Sequence, residues 1–589
     1  MTLRLLLPTL TFTLTLSSAA LAAAEPVAFD SFTYTGRDDV FAPPLPVGHY
    51  RNPILAGYYP DPSICRVGDD YYLINSSFAH FPGIPIFHSR DLVNWEQIGH
   101  VIDRPTQLKY DGLGITRGIF APAISHHNGV FYIVCTMVDA GGNFLMTAKD
   151  PAGPWSDPVW LDFDGIDPSL FFDDDGRAWM VNNGNPPDNQ PLYQGHRAIW
   201  IQEFDITNQK LTGPRSIIVN GGVDLAQKPV WIEGPHLYKR EGWYYLCCAE
   251  GGTSSQHSQV ILRGKSPTGP FTPWDKNPIL TQRDLDGSAP HAVTCTGHAD
   301  LVIGPDGNWW SVFLACRPYA PDRWATGRET FLLPVKWTDD GWPQILPPGE
   351  RVPYIVKSPI FKNQSAQTIA QEKTEGTEKN HSSNTRPSVS SVTSCENALV
   401  PLSGNFTLTD EFDQPALSPL WLMLRTPKET WWQLADGKLS LTPRVDALGG
   451  KGNPSFLGRR VQHAKFDASV TLAVPAESGI QAGLTIIQNE KQYFTCQVSR
   501  AGDLVSLAVV RCHQGKSETL VERSLAATDE IELQLHADAT TYTFRCARDG
   551  GEPELLLAGI DSYPASVQAA GGGMHFTGAL VGIYALKAP

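Results

Sequence analysis

Asp61-Pro62-Ser63-Ile64-Cys65-Arg66-Val67-Gly68-Asp69-Asp70-Tyr71-Tyr72 decides the fold, because the same construction returns four more times before residue 320. The further copies are Ala121-Pro122-Ala123-Ile124 to Phe131-Tyr132, Asp167-Pro168-Ser169-Leu170 to Ala178-Trp179, Gly234-Pro235-His236-Leu237 to Tyr244-Tyr245, and His298-Ala299-Asp300-Leu301 to Trp309-Trp310. Each reads as a strand, a tight turn and an aromatic second strand. The turns carry Gly68, Gly129, Gly176, Gly242 and Gly307, mostly beside Asp, Asn or Glu, which suits hairpin loops that need positive φ. Successive copies start 60, 46, 67 and 64 residues apart, room for one four-stranded sheet each, so five blades around an axis is the natural assembly.

Pro in the second position of four copies fits the opening of a strand, where a missing N–H does least harm. The first position then lies at the strand entrance, and in a propeller those entrances converge on the central channel. Asp61, Ala121, Asp167, Glu233-Gly234 and His298 occupy or adjoin that slot, which gathers three carboxylates and an imidazole at one end of the axis.

Working outward, 589 residues exceed one ordinary core and imply two or more domains. Residues 1–24 read as a cleavable signal peptide: one charge at Arg4, an apolar stretch from Leu5, and small residues at Ala20-Leu21-Ala22. This predicts a secreted or periplasmic protein. The propeller is assigned to residues 45–355. Residues 358–399 are polar and poor in large apolar groups, which predicts a linker. Residues 403–589 return to alternating runs such as Lys438-Leu439-Ser440-Leu441-Thr442, the pattern of a β-sandwich. The whole chain is therefore expected to be all-β.

A formal charge of −15 and the lack of any basic run argue against nucleic acid. No segment after the leader approaches the roughly 18 apolar residues of a membrane helix. Ten cysteines fall unevenly along the chain, and Cys135, Cys247 and Cys248 sit within apolar strands, as buried thiols do. No Cys or His spacing suggests zinc. Asp173-Asp174-Asp175-Gly176 lacks the spacing of a calcium loop and reads as a solvated hairpin. Trp309-Trp310 and Trp431-Trp432 read as core before they read as sugar platforms. Arg328, in Gly327-Arg328-Glu329-Thr330, either stands beside the ring of acids or forms a surface salt bridge.

Hydrolysis of a glycosidic bond needs one protonated carboxyl to serve the leaving oxygen and one ionised carboxylate to activate water or attack the sugar. Asp61 and Glu233 suit these tasks, and Asp167 could raise the pKa of the acid by like-charge repulsion. Asp before Pro often only caps a turn, but three acids in equivalent slots favour chemistry. His298 alone would read as structural; as the fifth member of the ring it reads as part of the site.

Asn52-Pro53-Ile54-Leu55, Tyr59-Pro60-Asp61-Pro62-Ser63-Ile64, Phe87-His88-Ser89-Arg90-Asp91-Leu92-Val93-Asn94-Trp95, Asp167-Pro168-Ser169, Glu233-Gly234-Pro235-His236 and Gly297-His298-Ala299-Asp300-Leu301 together resemble glycoside hydrolase family 43. The closest likeness is to its bacterial β-xylosidase and α-L-arabinofuranosidase branch. The resemblance implies a five-bladed propeller and inversion at the anomeric centre. It makes Asp61 the general base, Glu233 the general acid and Asp167 the residue that tunes and orients that acid. It further implies that His298, Arg328, Phe78 and Phe120 line the sugar pocket. Phe120 stands where a Trp is usual and Ala123 where an Asp is usual, departures that bear on the distal subsite and not on the acid and base.

Residues 403–589 resemble, more loosely, the concanavalin-like jelly roll that accompanies such propellers and can send a loop over the pocket. The chain ends soon after Gly582-Ile583-Tyr584, so the last strand of that sandwich is expected to be missing. The resulting expectation is an exo-acting enzyme releasing D-xylose, with L-arabinofuranose as a second sugar, from xylo-oligosaccharides or arabinoxylan. An endo-acting arabinanase and a non-catalytic glycan-binding propeller are the alternatives. No cofactor is expected, although some relatives hold Ca²⁺ near the residue matching His298.

Overall fold

The computed structural model describes residues 24–321, 323–360, 390–393, 400–526, 528–571 and 575–588. The leader and most of the 358–399 stretch, Cys395 included, lie outside them. The described residues are strands, turns and a few short 3-10 segments.

Between residues 63 and 334 the described chain forms five consecutive antiparallel sheets. The first is Ser63–Val67, Asp70–Ile74, Gly83–Ser89 and Glu96–Ile102; the second opens with Gly118–His127 and Val130–Val138; the third with Ile166–Phe172 and Ala178–Gly184. The fourth opens with Glu233–Arg240 and Trp243–Glu250, and the fifth with Thr294–Ile303 and Trp309–Cys316. The five sequence repeats are thus the first two strands of the five sheets. Their turn glycines all have positive φ, 64° to 85°.

Hydrogen bonds stitch each first strand to the next. Ile124 N donates to Ser63 Oγ (3.1 Å), Ser125 Oγ to Leu170 O (3.0 Å), Ser169 Oγ to Pro235 O (2.5 Å), and Tyr238 Oη to Asp300 Oδ1 (2.6 Å). Asp300 Oδ2 in turn accepts from Ser63 Oγ and Ile64 N, both at 2.9 Å, linking the fifth sheet to the first.

In four of the five copies the strand does not open at the Pro slot. It runs through it with a slip in register, between Phe120 and Ala123, Ile166 and Ser169, Glu233 and His236, and Gly297 and Asp300. Proline is tolerated there because a bulge leaves the extra residue outside the ladder. The hairpin after Ile166–Phe172 is exposed at Asp174, Asp175 and Gly176, as read from the sequence, and departs from that reading only at its first residue. Asp173 is buried, held by Lys239 Nζ at 2.6 Å and Tyr244 Oη at 2.7 Å from the neighbouring sheet. Trp310 and Trp431 are core, as read from the sequence.

The sandwich consists of two larger sheets. One runs in the order Ser390–Thr393, Phe406–Asp410, Val27–Gly36, Lys465–Ala473, Glu530–Asp538, Thr541–Arg548, Glu554–Asp561. The other is Ser455–Arg460, Leu580–Lys587, Ile480–Asn489, Gln492–Ala501, Leu504–His513, Lys516–Leu525. The alternation of buried and half-buried residues along Lys465–Ala473 is the two-residue period that puts Phe466, Ala468, Val470 and Leu472 in the core.

Two expectations change here. Val27–Gly36 lies between Phe406–Asp410 and Lys465–Ala473, so the sandwich begins well before residue 403. Ser390–Thr393, inside the stretch read as linker, pairs in parallel with Phe406–Asp410. The stretch around Gly582-Ile583-Tyr584 is itself an interior strand: Leu580–Lys587 pairs on both sides, with Ser455–Arg460 and Ile480–Asn489.

The sandwich packs against segments flanking the first of the five sheets. Met423–Leu424 pairs with His80–Phe81, Arg425 Nε donates to Leu113 O (2.6 Å), and Arg460 Nε donates to Tyr58 O (2.9 Å).

Candidate active site

The five slots share one backbone conformation. φ is 51° at Asp61, 34° at Ala121, 53° at Asp167, 54° at Gly234 and 51° at His298. Four of these are not glycine, and an L-residue in the left-handed region costs about 1–2 kcal/mol. Such strain persists where the surrounding structure fixes it and clusters at functional sites. Glycine holds the fourth slot for a second reason: a Cβ at Gly234 would stand 2.9 Å from the His298 ring. Glu233 therefore sits one residue before the slot, paired with Ala249.

Asp61, Asp167, Glu233, His298 and Arg328 are all buried, each less than a tenth exposed. Asp61 Oδ2 accepts from Ser76 Oγ at 2.6 Å, and Asp61 Oδ1 accepts from Arg328 Nη1 at 3.2 Å. The same Ser76 Oγ accepts from Ala121 N at 2.7 Å, tying the first slot to the second. Burial alone would raise the pKa of Asp61, but Arg328, His298 and the Ser76 hydroxyl outweigh it and hold the carboxyl below its ordinary value.

The opposite holds across the ring. Asp167 is pushed up to about 7, first by burial and then by the charge of Asp61, against one hydrogen bond from Gly234 N at 3.2 Å. Glu233 is raised well above its ordinary value, by burial first and then by Asp167 and Asp61. Asp167 and Glu233 therefore stay protonated to higher pH than Asp61 does.

His298 Nδ1 lies 3.7 Å from Asp61 Oδ1, but burial lowers its pKa to about 4, so the ring is neutral near pH 7 and the contact is not an ion pair. His257, beneath Gly297, is likewise lowered to about 4 by burial, and its Nε2 has no partner among the described residues.

Phe78 and Phe120 meet edge to face at 5.3 Å. A third ring completes the group: Phe576 stacks on Phe78 at 6.2 Å, meets Phe120 edge-on at 5.3 Å, and lies 5.3 Å from the Arg328 guanidinium. Arg328 Nη2 also donates to Phe576 O at 3.4 Å. Phe576 comes from the sandwich, anchored by its N–H on Thr116 Oγ1 (2.8 Å) and by Gly578, where a Cβ would stand 2.5 Å from Thr326 O. The structure thus joins Arg328, His298, Phe78 and Phe120 to the acids.

Sequence reasoning missed Ser76, His257, Arg197 and Phe576. Ser76 and Arg197 carry no motif, His257 no repeat position, and Phe576 lies in the other domain. A Ca²⁺ ion near His298 finds a poor fit. Calcium takes six to eight oxygen ligands, yet the nearest carboxylate to the ring already carries the Arg328 guanidinium. Among the described residues no group of three His, Cys, Asp or Glu converges as a metal site.

Sequence comparison places this geometry. Residues 50–343 match the profile of Glycosyl hydrolases family 43, and residues 409–588 match the Beta xylosidase C-terminal Concanavalin A-like domain. A Xylosidase/arabinosidase of Butyrivibrio fibrisolvens is 38% identical over 543 residues, spanning 91% of this chain and 95% of its own. The chain belongs to glycosyl hydrolase family 43. Within the family it is also similar to a Non-reducing end alpha-L-arabinofuranosidase of Bacteroides ovatus, 34% identical over 91% of each chain. A family 43 crystal structure of a GH43_12 retrieved from capybara gut metagenome superposes with a TM-score of 0.84 at 39% identity, covering 96% of this chain and all of the other.

Proposed function

We propose that this family 43 hydrolase is an exo-acting enzyme that releases D-xylose, and L-arabinofuranose from the same pocket, by single-displacement hydrolysis with inversion. In this reading the five sheets form a closed five-bladed propeller, residues 1–24 export the protein, and the substrate is a xylo-oligosaccharide or arabinoxylan. Asp61 is the general base, Glu233 the general acid, and Asp167 the group that keeps the acid protonated.

The observation that carries the proposal is the opposite setting of two buried carboxyls in one ring. Arg328 and Ser76 keep Asp61 ionised, as a group that takes a proton from water must be. Burial and Asp167 keep Glu233 protonated, as a donor to the leaving oxygen must be. The names of the similar proteins support the sugars, and the Phe576 ring beside the Arg328 guanidinium supports release from chain ends.

The test is hydrolysis of p-nitrophenyl β-D-xyloside and p-nitrophenyl α-L-arabinofuranoside by the wild type, Asp61→Asn and Glu233→Gln, with the anomer of the first product followed by NMR. Inverted product and loss of activity in both variants are expected. Retention of configuration, or attack on internal bonds of arabinan with neither aryl glycoside cleaved, would overturn the proposal.

A further inference from the structure

The strand that opens at Glu233 is preceded by a strained tryptophan. Trp231 stands two residues before Glu233, is 37% exposed, and has φ 53°. A bulky aromatic in the left-handed region is a true outlier, and it is not here to fill a core. The conformation is held from several sides. Trp231 N donates to Gly195 O (2.8 Å), Val230 O accepts from Gly251 N (2.8 Å), and Pro229 O accepts from Tyr193 Oη (2.8 Å). Gly195 itself has no room for a side chain: a Cβ would stand 2.9 Å from Val230 and 3.3 Å from the Trp231 ring.

Arg197 faces this ring, its guanidinium carbon 4.9 Å from the Trp231 centroid. Its Nε and Nη2 donate to Asn183 Oδ1 at 2.9 and 2.7 Å, and Nη1 donates to Asn185 Oδ1. That leaves two of its five N–H groups without a partner among the described residues. Asn183 Nδ2 in turn donates to Ile232 O (2.6 Å), the peptide between Trp231 and Glu233. Asn183 also pairs with Ile166, the neighbour of Asp167. The guanidinium is close enough to both acids that its charge lowers their pKa values against the other influences. A structural cation–π pair would account for Arg197 over an indole. It would not account for an exposed indole held in a strained conformation beside the proton donor, nor for spare N–H groups.

We propose that Trp231 and Arg197 form the subsite for the leaving portion of the substrate, a neutral sugar residue held with its C–H face on the indole and its hydroxyls on the free guanidinium N–H groups. The inference rests on the reading of Glu233 as general acid, because the leaving oxygen must lie within hydrogen-bond reach of that carboxyl. Both residues are positioning and specificity-determining groups: they hold the aglycone so that its oxygen meets the proton. Arginine stays charged at every working pH, so this grip does not titrate with the acid pair.

The experiment compares two substrates with the same pentose and different leaving groups: a pentose disaccharide, and the matching glycosyl fluoride, whose leaving group is a single atom. The measured quantity is the ratio of kcat/KM for the two in the wild type, Trp231→Ala, Trp231→Phe and Arg197→Met. The expected result is a ratio at least tenfold lower in Trp231→Ala and Arg197→Met, mainly through KM for the disaccharide, with Trp231→Phe restoring most of it. Equal losses on both substrates would mean a structural role, and an unchanged ratio would mean no contact with the leaving sugar; either overturns the inference alone. If the wild type cleaves neither substrate, the functional reading falls and takes the subsite with it.

Discussion

Arg317 and Arg328 lie eleven residues apart, are equally buried, and each binds carboxylate, yet their surroundings differ in kind. Arg317 is saturated. Its Nε and Nη2 grip Glu329 at 2.6 and 2.9 Å, Nη1 meets Asp38 at 2.9 Å, and Nη2 also reaches Gln462 O at 2.9 Å. These bonds join the fifth sheet to the N-terminal segment and the sandwich. Arg328 makes one long bond to Asp61 and one to Phe576 O, and its buried Nε has no partner among the described residues. Buried polar groups are normally satisfied. A saturated ion cluster fixes architecture; in the proposed function the unsaturated one beside it is left free to meet substrate.

The comparison breaks most visibly at the acids. Glu233→Gln or Asp61→Asn should lower kcat by about 10²–10⁴-fold while leaving the circular dichroism spectrum unchanged; activity within a factor of a few of wild type would remove them from the chemistry. Arg317→Met should instead cost stability, about 3–5 kcal/mol, because Glu329 and Asp38 are left buried and unpaired. Denaturant titration checks this, with kcat per folded molecule expected to hold. Arg328→Met should invert that pattern, with kcat/KM down on the order of 10²-fold and a smaller shift in denaturation midpoint. Arg328→Lys should fail to rescue it, since an ammonium lacks the planar fork. Phe576→Ala should raise KM roughly tenfold, in line with the loss of one aromatic wall contact worth about 0.5–1.5 kcal/mol beyond its area.

The smallest effect concerns pH. A carboxyl whose folded pKa is raised stabilises the fold below its unfolded pKa, and that contribution is lost as pH rises through the folded value. Glu233 has such a shift. Glu233→Gln should therefore match the wild type in Tm at pH 4 and exceed it at pH 8, by about 1 °C for each kcal/mol regained. A Tm gain that is largest in acid would contradict the assigned direction. The same settings predict a bell-shaped kcat/KM profile: the acid limb falls below the ordinary carboxylate range as Asp61 protonates, and the alkaline limb lies above it as Glu233 ionises.

Much of the ring was legible because it repeats. Asp-Pro-Ser, Ala-Pro-Ala, Asp-Pro-Ser, Gly-Pro-His and His-Ala-Asp mark one slot five times, and in the proposed function two of the three acids occupy it. What repetition could not disclose is the backbone state there, a positive φ inside a bulge and not a strand opening, since Asp and His carry no sign of it. The sandwich was legible only in part. Val27–Gly36 alternates buried and half-buried residues like any strand, but its partners lie more than 370 residues away, and no local signal names them. Phe576 was unreadable for the same reason: its importance comes from docking. Arg328 could be read two ways until burial decided between them.

Val27–Gly36 occupies an interior position in one sandwich sheet, and Leu580–Lys587 occupies an interior position in the other. The two ends of the described chain are therefore clasped into the same unit, with the five sheets spliced between them. During synthesis the first of these strands must wait, its edges unpaired, until the last third of the polypeptide has emerged. Scission between residues 360 and 400 would accordingly nick the enzyme without parting it, because the amino-terminal fragment would still own a strand in the heart of its neighbour.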